Sequence, residues 1–545
     1  MWSVRPFLVA TFALAALSAC DADLLGKGPL TCVSDDECGR RNACVLGVCV
    51  DPRAQALDEV NLEIRPAEES GYRPQQVFGV RVGPGSEDGR TVVELRETIF
   101  VRGNVVDASG APVPAQVVAV PQAGIPGRAL VANAAATGVE GAFSLPLVAA
   151  DEARLDDEYR LAVFPDDVHA RPPHYIAGAV RADSPTNELL HGDIELPDPT
   201  SLVRISGRVV TSDGAVMLPV KGLEVRLYDG SRRVSTVGVT NDNGEFTLDV
   251  TPSAPVLVSL EIRPTEQSRL NPTLRVDDWV SVIDSADLGD IDLGALPAPV
   301  PFTGIVRGPS GAPVPGARIY ARATVSNELG EGVLNVLTVA DEEGHYDAEL
   351  RPGRYELAAV PPVTDPSAGL LVGFSANVSA TSSPQLNLPE RVEVSGAVQA
   401  ADGTDVFGAT VQLTRIGAGG GPTEAVLDGV TWTFSATTDG GGGFTLRVDP
   451  GRYRVSIVPD PASGLPRDSR VLDVLEPASD LKLVLPAKAL IAGQLVTRGG
   501  AALEMAQVAA FSTIVGESGE AFELGSALTS GDGRFEIVVP DLAAE

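Results

Sequence analysis

The chain has 545 residues, 44% of them hydrophobic, which is more than one core organises and implies several domains. Its 41 basic against 73 acidic residues give a formal net charge of −32, which excludes a nucleic-acid binder and a basic membrane-surface patch, because both need clustered cations. Four histidines and five cysteines leave little material for metal or nucleophilic chemistry, and no cofactor is expected.

Residues 1–19 read as an export signal rather than part of the fold. Arg5 supplies the positive end, and the apolar stretch Phe7–Leu17 is too short to span a bilayer as a mature helix. The stretch ends in Leu17-Ser18-Ala19-Cys20, which resembles a bacterial lipobox. That resemblance implies lipidation of Cys20 and membrane anchoring through the N-terminal lipid. Asp21 follows, and by resemblance to enteric lipoproteins it favours retention at the inner membrane. Nothing later reads as a transmembrane helix: the apolar run from Leu481 to Leu495 carries Lys482 and Lys488 and is broken by Pro486.

Residues 20–31 form a linker from the anchor. Cys32, Cys38, Cys44 and Cys49 then follow in a module spanning 32–50, with the spacing C-x5-C-x5-C-x4-C. In an exported chain two disulfides are the expectation, with three connectivities open. A zinc site is the rival reading and lacks the usual C-x2-C pairs. So short a segment builds no core, so the bridges would hold it together, as a stiff spacer or as a protein-binding knob.

From about residue 97 the chain repeats itself. Each copy opens on a strand carrying a glycine: Gly103, Gly207, Gly304, Gly396 and Gly493. An Asp/Asn/Gly turn later opens a strand led by an aromatic: Phe143, Phe246, Tyr346, Phe444 and Phe535. In copy four, Phe444 to Ile457 alternates apolar and polar residues on two arms, a hairpin with one buried face. Pro450 suits the second turn position, and Gly451 suits a third position with positive φ. Copy three repeats the turn as Pro352-Gly353-Arg354-Tyr355. The tyrosines read as core rings with a polar tip, similar to a sandwich corner tyrosine.

Leu196-Pro197, Leu296-Pro297, Leu388-Pro389 and Leu485-Pro486 close the first four copies. The boundaries are therefore 97–197, 202–297, 301–389 and 391–486. A fifth copy, 490–545, stops before a closing strand, so it is either truncated or left with an open sheet edge. Residues 57–96 look like the closing strands of a similar unit: Leu62-Glu63-Ile64-Arg65-Pro66 recurs as Leu260-Glu261-Ile262-Arg263-Pro264. The fold class expected is all-β, tandem immunoglobulin- or transthyretin-like sandwiches behind the signal and the cysteine module. Five such units end to end would reach on the order of 150 Å.

The pattern G-x-V, Gly-x-Pro-Val, Asp-x-x-Gly-x-Phe and Pro-Gly-x-Tyr resembles the carboxypeptidase regulatory-like domain. The resemblance implies a carbohydrate-binding-like sandwich fold, in modules that are usually accessory rather than catalytic. No histidine has Glu three residues on, and neither H-E-x-x-H nor G-x-S-x-G occurs. Ser479 and Lys482 match S-x-x-K at the start of an expected strand, without supporting motifs. Gly417–Gly421 reads as a flexible loop, with no helix after it to receive a phosphate. Asp166, Asp167, His169 and His174, with His191 further on, match no metal spacing and read as solvated surface. Asn241, Asn243 and Gly244 resemble part of a calcium loop, but Val239 and Val250 stand where its terminal carboxylates belong, so a hairpin turn is expected.

The expectation is a non-enzymatic cell-envelope lipoprotein facing periplasm or cell surface. In that reading it is a structural or adhesive array contacting glycan or envelope protein, with no catalytic residues and no metal. A dedicated polysaccharide-binding protein is the first alternative and predicts a cluster of exposed aromatics on one face. An accessory subunit of an envelope hydrolase or transport system is the second.

Overall fold

The computed structural model describes residues 43–45, 48–50, 59–81, 91–121, 133–150, 158–213, 216–251, 254–376, 385–417, 432–515 and 521–541. These residues form β-strands, with short 3-10 turns as the only helical elements among them. The all-β expectation agrees with this. Ala43–Val45 and Val48–Val50 make a small ladder that sets Cys44 opposite Cys49. Cys20, Cys32, Cys38 and most of the glycine-rich stretch 417–421 lie outside the described residues.

Copy four shows the plan of a unit. Its strands, in chain order, are Val392–Gln399, Thr410–Gly417, Thr433–Thr437, Gly443–Val448, Gly451–Val458, Asp468–Val474 and Ala478–Val484. The first strand lies between the fourth, antiparallel, and the seventh, parallel. The second, third, fifth and sixth form the facing sheet. Alternate residues of both sheets point inward, so Val411, Leu413, Phe444, Tyr453, Val455 and Ile457 share one core. Copies one to three build their own cores on the same plan.

The recurring glycine and the recurring aromatic are cross-strand partners. Gly103 pairs with Phe143, Gly207 with Phe246, Gly304 with Tyr346, Gly396 with Phe444 and Gly493 with Phe535. A β-carbon on Gly396 would stand 2.2 Å from the Leu481 carbonyl oxygen of the seventh strand; one on Gly493 would stand 2.3 Å from the Phe535 ring. The glycine thus lets the parallel strand and the ring close over the first strand. Gly396→Val should cost at least about 2 kcal/mol through forced separation of these strands. Denaturation followed by Trp432 fluorescence in a Trp279→Phe background checks this; an unchanged midpoint would contradict it.

The Asp/Asn/Gly turns are hairpin turns. Asn241 Oδ1 accepts the backbone N–H groups of Asn243 and Glu245, and Gly244 sits at φ +78°. The carboxamide is therefore spent on the turn. At the Pro-Gly turns the structure differs from expectation. Gly353 has no left-handed φ, and both Gly353 and Gly451 begin strands in full register with their partners.

The largest difference concerns the chain's two ends. Copy five supplies the first four strands of a unit: Lys488–Thr497, Gln507–Val515, Ala521–Leu528 and Arg534–Pro540. Glu59–Arg65 and Gln75–Arg81 extend its second sheet, and Thr91–Leu95 pairs in parallel with its first strand. These are the fifth, sixth and seventh strands of the plan. The described strands of residues 57–96 and 490–545, separate fragments when read along the chain, therefore form one sandwich with one core. The physical reason is edge satisfaction. The strands of copy five would otherwise expose unpaired backbone groups and half a core, and the N-terminal strands present the complementary edges and apolar faces. Leu62, Ile64 and Leu95 are fully buried there. The recurrence of Leu-Glu-Ile-Arg-Pro marks structural equivalence, since Leu260–Pro264 closes the fifth strand of copy two.

Candidate functional site

The tyrosine expected at the sandwich corner does two jobs. Tyr453 is fully buried, edge-on to Phe434, and its hydroxyl donates to the Asp449 carbonyl at 2.5 Å. Tyr355 donates to the Arg351 carbonyl at 2.9 Å, and burial pushes its phenol up to about 12. Each ring therefore fixes the residue just before Pro-Gly. That residue reaches back to the preceding unit in both copies. Arg351 donates to the carbonyls of Leu270, Leu296 and Pro297 and to Asn271 Oδ1 of copy two. Asp449 accepts from Arg391 Nε at 2.9 Å and from the Gly369 N–H of copy three at 2.9 Å.

Arg391 stands at the start of copy four and is the hub of its junction. Its side chain and that of Asp449 are each only 4% exposed. The remaining guanidinium donors go to the carbonyls of Pro362, Val363 and Asp365 in copy three, and the plane lies 4.9 Å from the Phe434 ring centre. Ala358 and Val360 of copy three pack into the core of copy four. A buried charge with its donors this fully matched ties two units in one geometry.

The other junctions are also tied. Copies two and three share a sheet, because Thr273 and Leu274 pair with Val333 and Gly332. Copies one and two meet where the Val237 N–H donates to Val168 O, the Val237 carbonyl faces His169 Nδ1 at 2.7 Å, and Tyr175 donates to Arg233 O. Arg467 bonds Glu523 and Ser526 between copies four and five. Gln75 exchanges two hydrogen bonds with the backbone of Arg96, and Thr98 donates to Gly71 O at the join into copy one.

The histidine group of copy one is dispersed by these contacts. Asp167 caps the backbone of His169 and Ala170, and His169 faces copy two. Burial holds the His174 imidazole below its ordinary pKa. Among the described residues, no three His, Cys, Asp or Glu side chains are grouped to hold a metal ion. Ser479 and Lys482 lie on a strand, not on the helix that an S-x-x-K nucleophile needs.

A groove of about 600 Å³ runs over the outer face of the three-stranded sheet of copy four, lined by Ser395, Thr437, Asp439, Thr445, Asp480 and Lys482. Asp439 is engaged there by the Gly441 and Gly443 N–H groups. Hydroxyls, carboxylates and one ammonium suit a polar ligand. A stacking platform is missing, because Phe444 turns inward and is buried. Phe100 and Phe407 are the exposed aromatics among the described residues, and they belong to different units. The clustered aromatic face that the polysaccharide-binding alternative predicts is not found among those residues.

No helix among the described residues is long and apolar enough to cross a membrane. The sequence signals that went unread were single residues at turn and link positions, Arg351, Asp449 and Arg391. Each lies beside a motif residue and differs between copies, so the repeat pattern passed over them.

No family model matches this chain, and no curated protein matches it. Among solved structures, the Bacillus anthracis TIE protein is 12% identical, with 74% of this chain and 75% of that one covered at a TM-score of 0.16. A streptococcal ancillary pilin is 12% identical over 54% of this chain and 99% of its own, at a TM-score of 0.21. GBS52, a minor pilin of Streptococcus agalactiae, is 13% identical over 34% and 96%, also at 0.21.

Proposed function

We propose that this chain is a non-enzymatic scaffold of the cell envelope, held to a membrane by lipid at Cys20 and built to present or contact glycan or protein at the surface. The observation that carries this reading is where the chain spends its buried polar chemistry. Arg351, Arg391 and Asp449 are spent on holding one sandwich against the next, not on a cleft. The resemblance of the repeat to carboxypeptidase regulatory-like modules supports an accessory rather than catalytic role. Disulfides among Cys32, Cys38, Cys44 and Cys49 would stiffen the connection between lipid and scaffold. The distributed negative charge keeps such a surface soluble beside an anionic membrane.

Replacing Cys20 with Ala is expected to move the protein from the membrane fraction to the soluble fraction. Unchanged membrane retention removes the anchor from the proposal. A glycan array and an envelope pull-down with the released protein separate the contacts: capture of a defined envelope protein supports scaffolding, whereas glycan binding alone favours the polysaccharide reading.

A further inference from the structure

We propose that the strands Glu59–Arg65, Gln75–Arg81 and Thr91–Leu95 are a clasp that closes this single chain into a ring of five sandwiches. The inference goes beyond envelope scaffolding and stands whether or not that reading holds. It rests on connectivity. The composite unit leads into copy one through residues 96–97 alone. Copies one to four follow through 196–202, 293–299 and 388–391, and copy four returns to the composite unit through 485–487. Every unit is thus joined by a short link to two others, and the order of links is a closed cycle.

Each junction carries its own ties, and the 2–3 and 3–4 junctions are the most restrictive. A shared sheet fixes the first, and the buried Arg391–Asp449 pair fixes the second. Fixed angles at successive junctions keep the chain's ends near each other, which raises the effective concentration of the clasp at its acceptor edge. The acceptor is the pair of edges that Lys488–Thr497 and Gln507–Val515 present to these strands, on either side of the core they share. The ligand it fits is an extended segment added by strand pairing, with Val60, Leu62 and Ile64 in the shared core and Asn61 and Glu63 buried between them on the strand's other face. The end-to-end reach expected from five separate beads does not apply to such a ring.

A protease site inserted in the 197–202 link of the full chain tests the closure. After cutting, the ring predicts that the piece ending in copy one and the piece carrying copies two to five stay together on size exclusion. The same cut combined with Ile64→Asp is expected to release them. Separation without that substitution overturns the clasp. So does co-elution that survives Ile64→Asp, since the junction between copies one and two would then suffice. A parent that light scattering shows to be a dimer or larger also overturns it, because the clasp is then exchanged between copies.

Discussion

Replacing Arg391 with Met should destabilise the junction between copies three and four by about 3–5 kcal/mol. The substitution leaves the buried Asp449 carboxylate with the Gly369 N–H but without its guanidinium, and it strips donors from three carbonyls of the 362–365 turn. Trp432, buried in copy four beside this junction, is the natural reporter. In a Trp279→Phe background its fluorescence transition should move to lower denaturant. The double variant Arg391→Met with Asp449→Asn should recover part of the loss, since the uncompensated charge is gone. A single variant within about 0.5 kcal/mol of the parent would show that the pair is energetically idle.

The second large effect is expected at the chain's other end. Leu62 and Ile64 are both fully buried in the composite core, on a strand paired with Gln507–Val515. Each change to Ala should cost the composite sandwich about 2–5 kcal/mol, the range for a buried Leu or Ile truncation. Copies one to four keep their own cores, so the loss should be local. Limited proteolysis is the sensitive measurement. Cleavage should appear around residues 505–533, far from the mutation in sequence, while copy four stays protected. Faster cleavage near residue 62 alone, with copy five still resistant, would show that copy five holds its fold without the N-terminal strands.

Much of a unit was readable along the chain. Alternation in Phe444–Val448 and Gly451–Val458 records which face is buried, because side chains alternate across a strand. The glycine and the aromatic recur together because they face each other across a ladder. The reading of Gly451 as a positive-φ turn residue shows the limit of local rules. Pro-Gly suggests a tight turn, yet the glycine is drawn into the ladder with Val474, and Tyr453 holds Asp449, the residue before Pro450, instead. The junction residues were illegible for a related reason. Arg391 is one arginine in an acidic chain until copy three places three carbonyls and copy four a carboxylate around it.

The repeating strand pattern, its all-β character and the recurrence of Leu62–Pro66 as Leu260–Pro264 are legible along the chain. Both halves of the fifth sandwich were visible, one before copy one and one after copy four. That they are halves of one domain, with Ile64 opposite Val508, emerges in three dimensions alone. Periodicity encodes the face a strand buries and not the edge it pairs with. Pairing is settled by which free edges and open cores meet in space, and here the two that match lie at opposite ends of the chain.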